Sequence, residues 1–192
     1  PRTVAQAFLM DADGQVLHSW KDRRRAWWYI VDTDSDLNLY ALETNKSFVK
    51  LDSESNLVWE SLGSYHHDFH VLPTGEVIIL HRSPLRIVDQ GVEFMILNDE
   101  VVRISADGQK KEIIYSVYEH FQHLIGKAEL TRAMQYGQNP NNPIEQDTPA
   151  DVFHVNSLKI IDRKLSDFAD SGDIQLCLPH HKMVVIIDSQ SG

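Results

Sequence analysis

The segment FVKLDSESNLVWES at residues 48–61 contains a short apolar strand, a turn that begins with aspartate, and a second strand that carries a tryptophan. The same pattern occurs in FLMDADGQVLHSW (8–20) and, without the tryptophan, in VVRISADGQKKEIIYS (101–116), and its first half occurs in VVIIDSQSG (184–192). Asp-Gly and Ser-Asn turns between alternating apolar runs indicate β-hairpins. The repeat therefore predicts an all-β chain built from similar consecutive units.

A further pair of predicted strands precedes each of the later hairpins. These pairs lie in AWWYIVDTDSDLNLYALE (26–43), in HDFHVLPTGEVIILHR (67–82), and in DVFHVNSLKIID (151–162) with GDIQLCL (172–178). Gly75 and Gly172 occupy equivalent turns, where we expect a positive φ. A four-stranded unit that recurs every ~40–50 residues is typical of a β-propeller blade. The chain is thus predicted to be a partial β-propeller with about three blades' worth of strands.

One segment departs from the strand pattern. Within 116–137 the apolar residues Val117, Phe121 and Leu124 have helical spacing. The following stretch, QNPNNPIEQDTPA (138–150), contains three prolines and predicts a loop. We therefore expect one propeller-like domain over residues 1–192 with a helix-plus-loop insertion at 116–150.

The predicted number of blades is too small for a closed ring, because a propeller needs at least four. Either the sequence is a fragment of a longer chain, or two copies complete each other in a homodimer with about six blades. Completion would also remove open sheet edges, which are sites of aggregation.

Composition bears on the partners of the protein. The formal net charge is −10, which argues against a nucleic-acid surface. No apolar run approaches the ~18 residues of a membrane span, and no signal peptide is visible in the sequence. The single cysteine, Cys177, excludes an internal disulfide. The net charge is still compatible with a local basic pocket for a small anionic substrate.

The ten histidines are concentrated at predicted strand ends. HHDFH (66–70) begins one predicted inner strand, and His154 begins the next. Inner strands line the axis of a propeller, so side chains from successive blades converge there. Because side chains alternate along a strand, one subset of HHDFH faces the axis, and we assign His67 to it. His81 with Arg82, and His180 with His181, follow the second strands of the two pairs.

Such a histidine cluster is compatible with several chemistries. Imidazole transfers protons near neutral pH or attacks an electrophile directly, and arginine stabilises a developing anion. Neutral imidazoles also bind zinc, although no specific metal motif is present. The candidate metal ligands are His66, His67, His154, His180 and His181. The candidate catalytic residues are His67, His154, His180 and Arg82. The candidate substrate-binding residues are Trp28, from the adjacent pair Trp27 and Trp28, together with Asn156 and His181.

The segments HHDFHVLPTGEVIIL (66–80), DVFHVNSLKIID (151–162) and GDIQLCLPHHKMVVIIDSQSG (172–192) resemble, in this order, the arylsulfotransferase family. The resemblance implies a six-bladed propeller in the periplasm or secreted from the cell. It also implies transfer of a sulfuryl group between phenols through a transiently sulfated histidine. His67 and His154 match two sulfate-contacting histidines of the family. Pro179, His180 and His181 stand where the family has an arginine, and Arg82 is a possible substitute. The family's nucleophilic histidine lies downstream of all these segments.

Three functions follow as expectations. The first is an arylsulfotransferase-like enzyme acting on small anionic aryl sulfate or phosphate esters. The second is a metal-dependent hydrolase of such esters that uses the same histidines. The third is a propeller module that binds without catalysis.

Overall fold

A computed structural model describes residues 4–22, 24, 27–89, 91–127, 130–131 and 149–189. Strands contain 53% of the described residues, and the helical structure there is short. The strands form four sheets with antiparallel pairing between neighbours in sequence. The predicted all-β class is therefore confirmed.

The sheets follow one another along the chain. The first consists of β1 (Gln6–Met10) and β2 (Val16–Lys21). The second consists of β3 (Ile30–Thr33), β4 (Leu39–Glu43), β5 (Ser47–Leu51) and β6 (Leu57–Leu62). The third consists of β7 (Tyr65–Val71), β8 (Val77–Asp89), β9 (Val92–Ile104) and β10 (Lys111–Ser116), with β11 (Ala150–Asp151) parallel to β9. The fourth consists of β12 (Ser157–Ile160), β13 (Ile174–Leu178) and β14 (Met183–Ile187).

The repeated hairpins lie where the sequence predicts them, at β1–β2, β5–β6 and β9–β10. Strands β8 and β9 are longer than predicted, with 13 residues each, and they meet at a turn that contains Gly91 with φ 81°. The turn glycines Gly75 and Gly172 have φ values of 82° and 100°, so their predicted positive φ is confirmed. At the aspartate turn of β1–β2, the Asp11 carboxylate accepts hydrogen bonds from the backbone N–H groups of Asp13 and Gln15. This local bonding explains why aspartate begins the turn.

The helical segment begins at Val117, the first apolar residue of the predicted helical spacing. Helix α1 (Val117–Phe121) begins after Ser116, whose side chain accepts a hydrogen bond from the Glu119 N–H. A 3₁₀ turn follows at Gln122–Leu124, and Ile125 returns to an extended conformation. Most of the predicted loop, residues 138–148, lies outside the described residues.

Internal contacts divide the chain into two compact units. Unit 1 contains the described residues up to Ile79 together with Arg103–Lys111, and unit 2 contains Leu80–Val102 and the described residues from Glu112 onward. The core of unit 1 includes a group of rings in mutual contact, formed by Tyr40, Phe48, Trp59, Tyr65 and Phe69. The core of unit 2 includes the fully buried side chains of Leu80, Ile96, Phe153, Val155, Leu176 and Leu178. No helix within the described ranges is long and apolar enough to cross a membrane.

Candidate functional site

His154 lies in the segment between β11 and β12, three residues before the strand that it was predicted to begin. Its φ is 53°, in the left-handed region that few non-glycine residues adopt. The next residue, Val155, is buried, and its N–H donates a 2.9 Å hydrogen bond to Asp99 Oδ2 from β9. A buried carboxylate therefore fixes the backbone beside His154.

Arg82 from β8 connects this carboxylate with a second one. Its Nε donates to Asp99 Oδ1 at 3.1 Å, and a terminal nitrogen lies 3.2 Å from Asp151 Oδ2. The Asp99 side chain is fully buried, and that of Arg82 is 13% exposed. Arg82 thus links two carboxylates that compensate its charge, and its catalytic role stays a prediction.

Asp151 also orients the imidazole of His154. His154 Nδ1 lies 2.6 Å from Asp151 Oδ2. Because an ionised carboxylate only accepts hydrogen bonds, Nδ1 must carry the proton. In the neutral ring the lone pair then resides on Nε2, the nitrogen that can act as base or nucleophile. Sequence reasoning missed Asp151 and Asp99, although Asp151 opens the DVFHVNS segment and Asp99 interrupts an apolar strand.

The imidazole of His180 stacks on that of His154, with ring centroids 4.7 Å apart and an interplanar angle of 19°. His180 belongs to a 3₁₀ turn, Pro179–His181, directly after β13. The side chain of His154 is 32% exposed and His180 is exposed, so both rings can be reached from solvent. The rings of His154 and His180 are therefore neighbours, and their role as catalytic residues stays a prediction.

Two further candidates lie in the same unit. His181 Nε2 is 3.1 Å from the Val152 carbonyl oxygen, and its ring contacts Phe153, so it packs beneath the segment that precedes His154. Asn156 is exposed, and its backbone N–H donates to the Cys177 carbonyl. Asn156 could therefore reach a ligand from the surface, whereas His181 supports the loop.

His66 and His67 belong to unit 1, on β7. His66 is buried, and the ring of His67 contacts both His66 and Tyr29 edge-on, at centroid distances of 5.2 and 6.1 Å. His67 has a φ of 55°, close to that of His154, although one residue lies in a strand and the other in a loop. This conformation interrupts the pleat, so the simple alternation that we assumed for HHDFH does not hold at His67.

The adjacent tryptophans, which precede β3, have different environments. Trp28 is partly buried and packs against a core cluster that includes Trp20 and Leu39. Trp27 is 84% exposed. The indole of Trp28 thus packs partly against apolar neighbours, and its assignment to substrate binding stays a prediction.

A second polar network in unit 2 was not predicted from the sequence. Glu100 Oε2 lies 2.9 Å from His81 Nδ1, and Glu100 Oε1 accepts hydrogen bonds from Ser83 at 2.6 Å and from Asn98 at 3.2 Å. Burial alone would raise the pKa of Glu100, but these hydrogen bonds and the nearby His81 lower it. Asn98 in turn bonds to the Tyr118 N–H and to Ser116, which ties the network to the start of α1.

Metal binding was among the sequence expectations. Within the described parts of the chain, no group of three or more histidine, cysteine or acidic side chains is arranged to hold a metal ion. We take as the candidate site the side chains that are connected by hydrogen bonds, ion pairs and ring stacking, namely Asp99, Arg82, Asp151, His154 and His180.

Comparison of the chain with family models, curated proteins and solved structures finds no significant match.

Proposed function

We propose that the protein transfers a sulfuryl or phosphoryl group from an aryl ester to an acceptor hydroxyl, with His154 as the reacting group. The observation that carries the proposal is the geometry of His154, whose Nδ1 is held 2.6 Å from Asp151 and whose ring stacks on His180. A histidine oriented by a carboxylate and next to a second imidazole is suited to nucleophilic catalysis and to proton transfer. The resemblance of DVFHVNS to arylsulfotransferases agrees with this chemistry.

In the first step, the lone pair on His154 Nε2 forms a bond to sulfur or phosphorus, and the bond from that atom to the aryl oxygen breaks. The phenolate leaves with the electron pair and takes a proton from the His180 imidazolium. The Asp151 carboxylate offsets the positive charge that the His154 ring acquires.

In the second step, a phenol attacks the transferred group and gives its hydroxyl proton to the neutral His180. The bond to Nε2 breaks, and its electron pair returns to His154. Water in place of the phenol would give hydrolysis by the same route. Because Arg82 is compensated by Asp99 and Asp151, the cation offered to the ester is protonated His180 rather than Arg82.

The test is nitrophenol release from nitrophenyl sulfate and nitrophenyl phosphate, with and without a phenol acceptor. The variants are His154→Ala and Asp151→Asn, and the control is His123→Ala, an exposed histidine outside the site. We expect H154A to lower release by ~100-fold or more and H123A to match the wild type. Intact mass spectrometry of the wild type, quenched during turnover, should show one added sulfuryl or phosphoryl group that H154A lacks.

Other outcomes separate the remaining functions. Release that a chelator abolishes would replace this mechanism with a metal-dependent hydrolase. Equal release by the wild type and H154A would remove His154 from the mechanism. The absence of release under every condition would contradict the proposal and favour a binding module.

The four sheets are also proposed to be blades of a β-propeller, which two copies of the chain complete. The support is the consecutive antiparallel strand order, with four strands in the second sheet and four in the main part of the third. The first sheet has two described strands and the last has three. Light scattering should then give twice the chain mass of 22.0 kDa, and a monomeric mass would contradict the homodimer.

A further inference from the structure

Asp99 is a buried acid next to the candidate site, and the proposed reaction does not use it. Its side chain is fully buried, and its two oxygens have different partners. Oδ2 accepts the Val155 N–H at 2.9 Å, and Oδ1 accepts Arg82 Nε at 3.1 Å. One carboxylate therefore holds the backbone after His154 and also the guanidinium that reaches Asp151.

We propose that Asp99 is the positioning residue of the site, which sets both the backbone and the ring orientation of His154. The inference rests on the proposed function only for the reaction that the positioning would serve. In this role Asp99 acts on the His154 ring indirectly. It acts through the Val155 N–H on one side, and through Arg82 and Asp151 on the other.

The backbone of His154 explains why such a holder is needed. A φ of 53° is unfavourable for a residue with a β-carbon. Conformations of this kind persist where the surroundings fix them. The hydrogen bond from Val155 to Asp99 supplies such a restraint at the adjacent peptide. Asp99 thereby keeps the His154 ring beside Asp151 and His180.

Asparagine at position 99 cannot reproduce both contacts. Its single side-chain oxygen can accept from Val155 or from Arg82, but its NH₂ group then faces the other donor. The strained loop or the Arg82 bridge must be released in Asp99→Asn. A reacting group misplaced by about 1 Å can cost about 100-fold in rate, and we expect D99N to lower kcat by up to about that factor with little change in KM.

Glu100→Gln is the matched control. Glu100 is the next residue on β9 and is also a buried carboxylate with several hydrogen bonds, but its partners are His81, Ser83 and Asn98. A general loss of stability should affect both variants. Only D99N should change the environment of His154.

The decisive measurement is the ¹⁵N NMR signature of the His154 ring in the full chain, assigned by comparison with H154A. In the wild type and in E100Q the proton should reside on Nδ1, and in D99N the ring should become a mixture of both tautomers. As a second readout, diethyl pyrocarbonate labelling of His154, followed by peptide mass spectrometry, should change in rate in D99N and not in E100Q. If D99N does not fold, Arg82→Lys replaces it, because one ammonium group cannot reproduce the bridge between Asp99 and Asp151.

A wild-type tautomer and labelling rate in D99N, or equal changes in D99N and E100Q, would overturn the positioning role. Neither readout requires turnover. A changed His154 tautomer or labelling rate in D99N, without ester turnover by the wild type, would support the positioning role and refute the proposed function. Ester turnover by the wild type, together with an unchanged His154 tautomer and labelling rate in D99N, would support the proposed function and refute the positioning role.

Discussion

Substitution of Gly108 by alanine tests how the repeated turns pack. Gly108 has a φ of 72°, and a β-carbon added there would lie 2.6 Å from Cδ2 and 2.7 Å from Cγ of Trp59. Trp59 is 6% exposed, and its Nε1 donates a 3.0 Å hydrogen bond to the Ala106 carbonyl in the same turn. The indole therefore cannot move away from a new methyl group without losing contacts.

Gly14 provides the matched control for this substitution. It occupies the corresponding turn of the first hairpin with a φ of 81°, and an added β-carbon would meet nothing within 4 Å. Both alanine variants lose roughly 1–2 kcal/mol because of the positive φ. Gly108→Ala adds the strain of overpacking against a buried ring, about 1–3 kcal/mol. We therefore expect G108A to be less stable than G14A by about 2 kcal/mol.

The difference should appear in urea unfolding followed by tryptophan fluorescence and circular dichroism. In thermal unfolding of a chain of this size, a stability difference of 2 kcal/mol corresponds to a difference in Tm of about 4–8 °C. Equal destabilisation of G108A and G14A would refute the reasoning, because it would mean that the Trp59 ring does not rest on the turn. Trp59→Phe combined with G108A should relieve part of the strain.

Two further predictions concern the stability of the protein, one through a buried ring and one through the pKa of Glu100. Phe48→Ala should destabilise the protein by about 3–5 kcal/mol, because Phe48 is fully buried and contacts four other rings. Phe168→Ala should have almost no effect, because Phe168 is 87% exposed. Similar losses of stability in the thermal unfolding of the two variants would contradict this prediction. The pKa of Glu100 is held below its usual value of 4.5, so its contribution to stability is present above that pH and is lost as the pH falls through the lower folded-state pKa. Unfolding free energies of the wild type should therefore fall more steeply between neutral and acid pH than those of E100Q, and parallel curves would exclude the mechanism.

The hairpins could be predicted because their signals are local. Asp11, Gly14, Gly75 and Gly172 occupy turn positions that few other residues tolerate, and alternating apolar residues surround them. The length of β8 and β9 could not be predicted, because the polar run from Asn98 to Glu100 conceals a strand whose carboxylates are satisfied by partners far away in sequence.

The candidate site was only partly predictable for the same reason. The sequence indicated His154 and His180, because both lie in histidine-rich segments at strand ends. It could not show that Arg82 is held by two acids, since Asp99 and Asp151 are 17 and 69 residues away from it in sequence. Strict alternation also failed at His67, where a positive φ interrupts the strand.

The two polar networks of unit 2 lie on opposite faces of the same pair of strands. Arg82 bonds to Asp99 on one face, while its neighbours His81 and Ser83 bond to Glu100 on the other. A slip of one residue between β8 and β9 would turn the side chains of one strand to the face opposite their partners on the other strand, and it would break both networks together. The two networks thus fix the register of β8 against β9. An insertion or deletion of one residue within either strand beside these networks would be far less tolerated than one in the turn at Gly91.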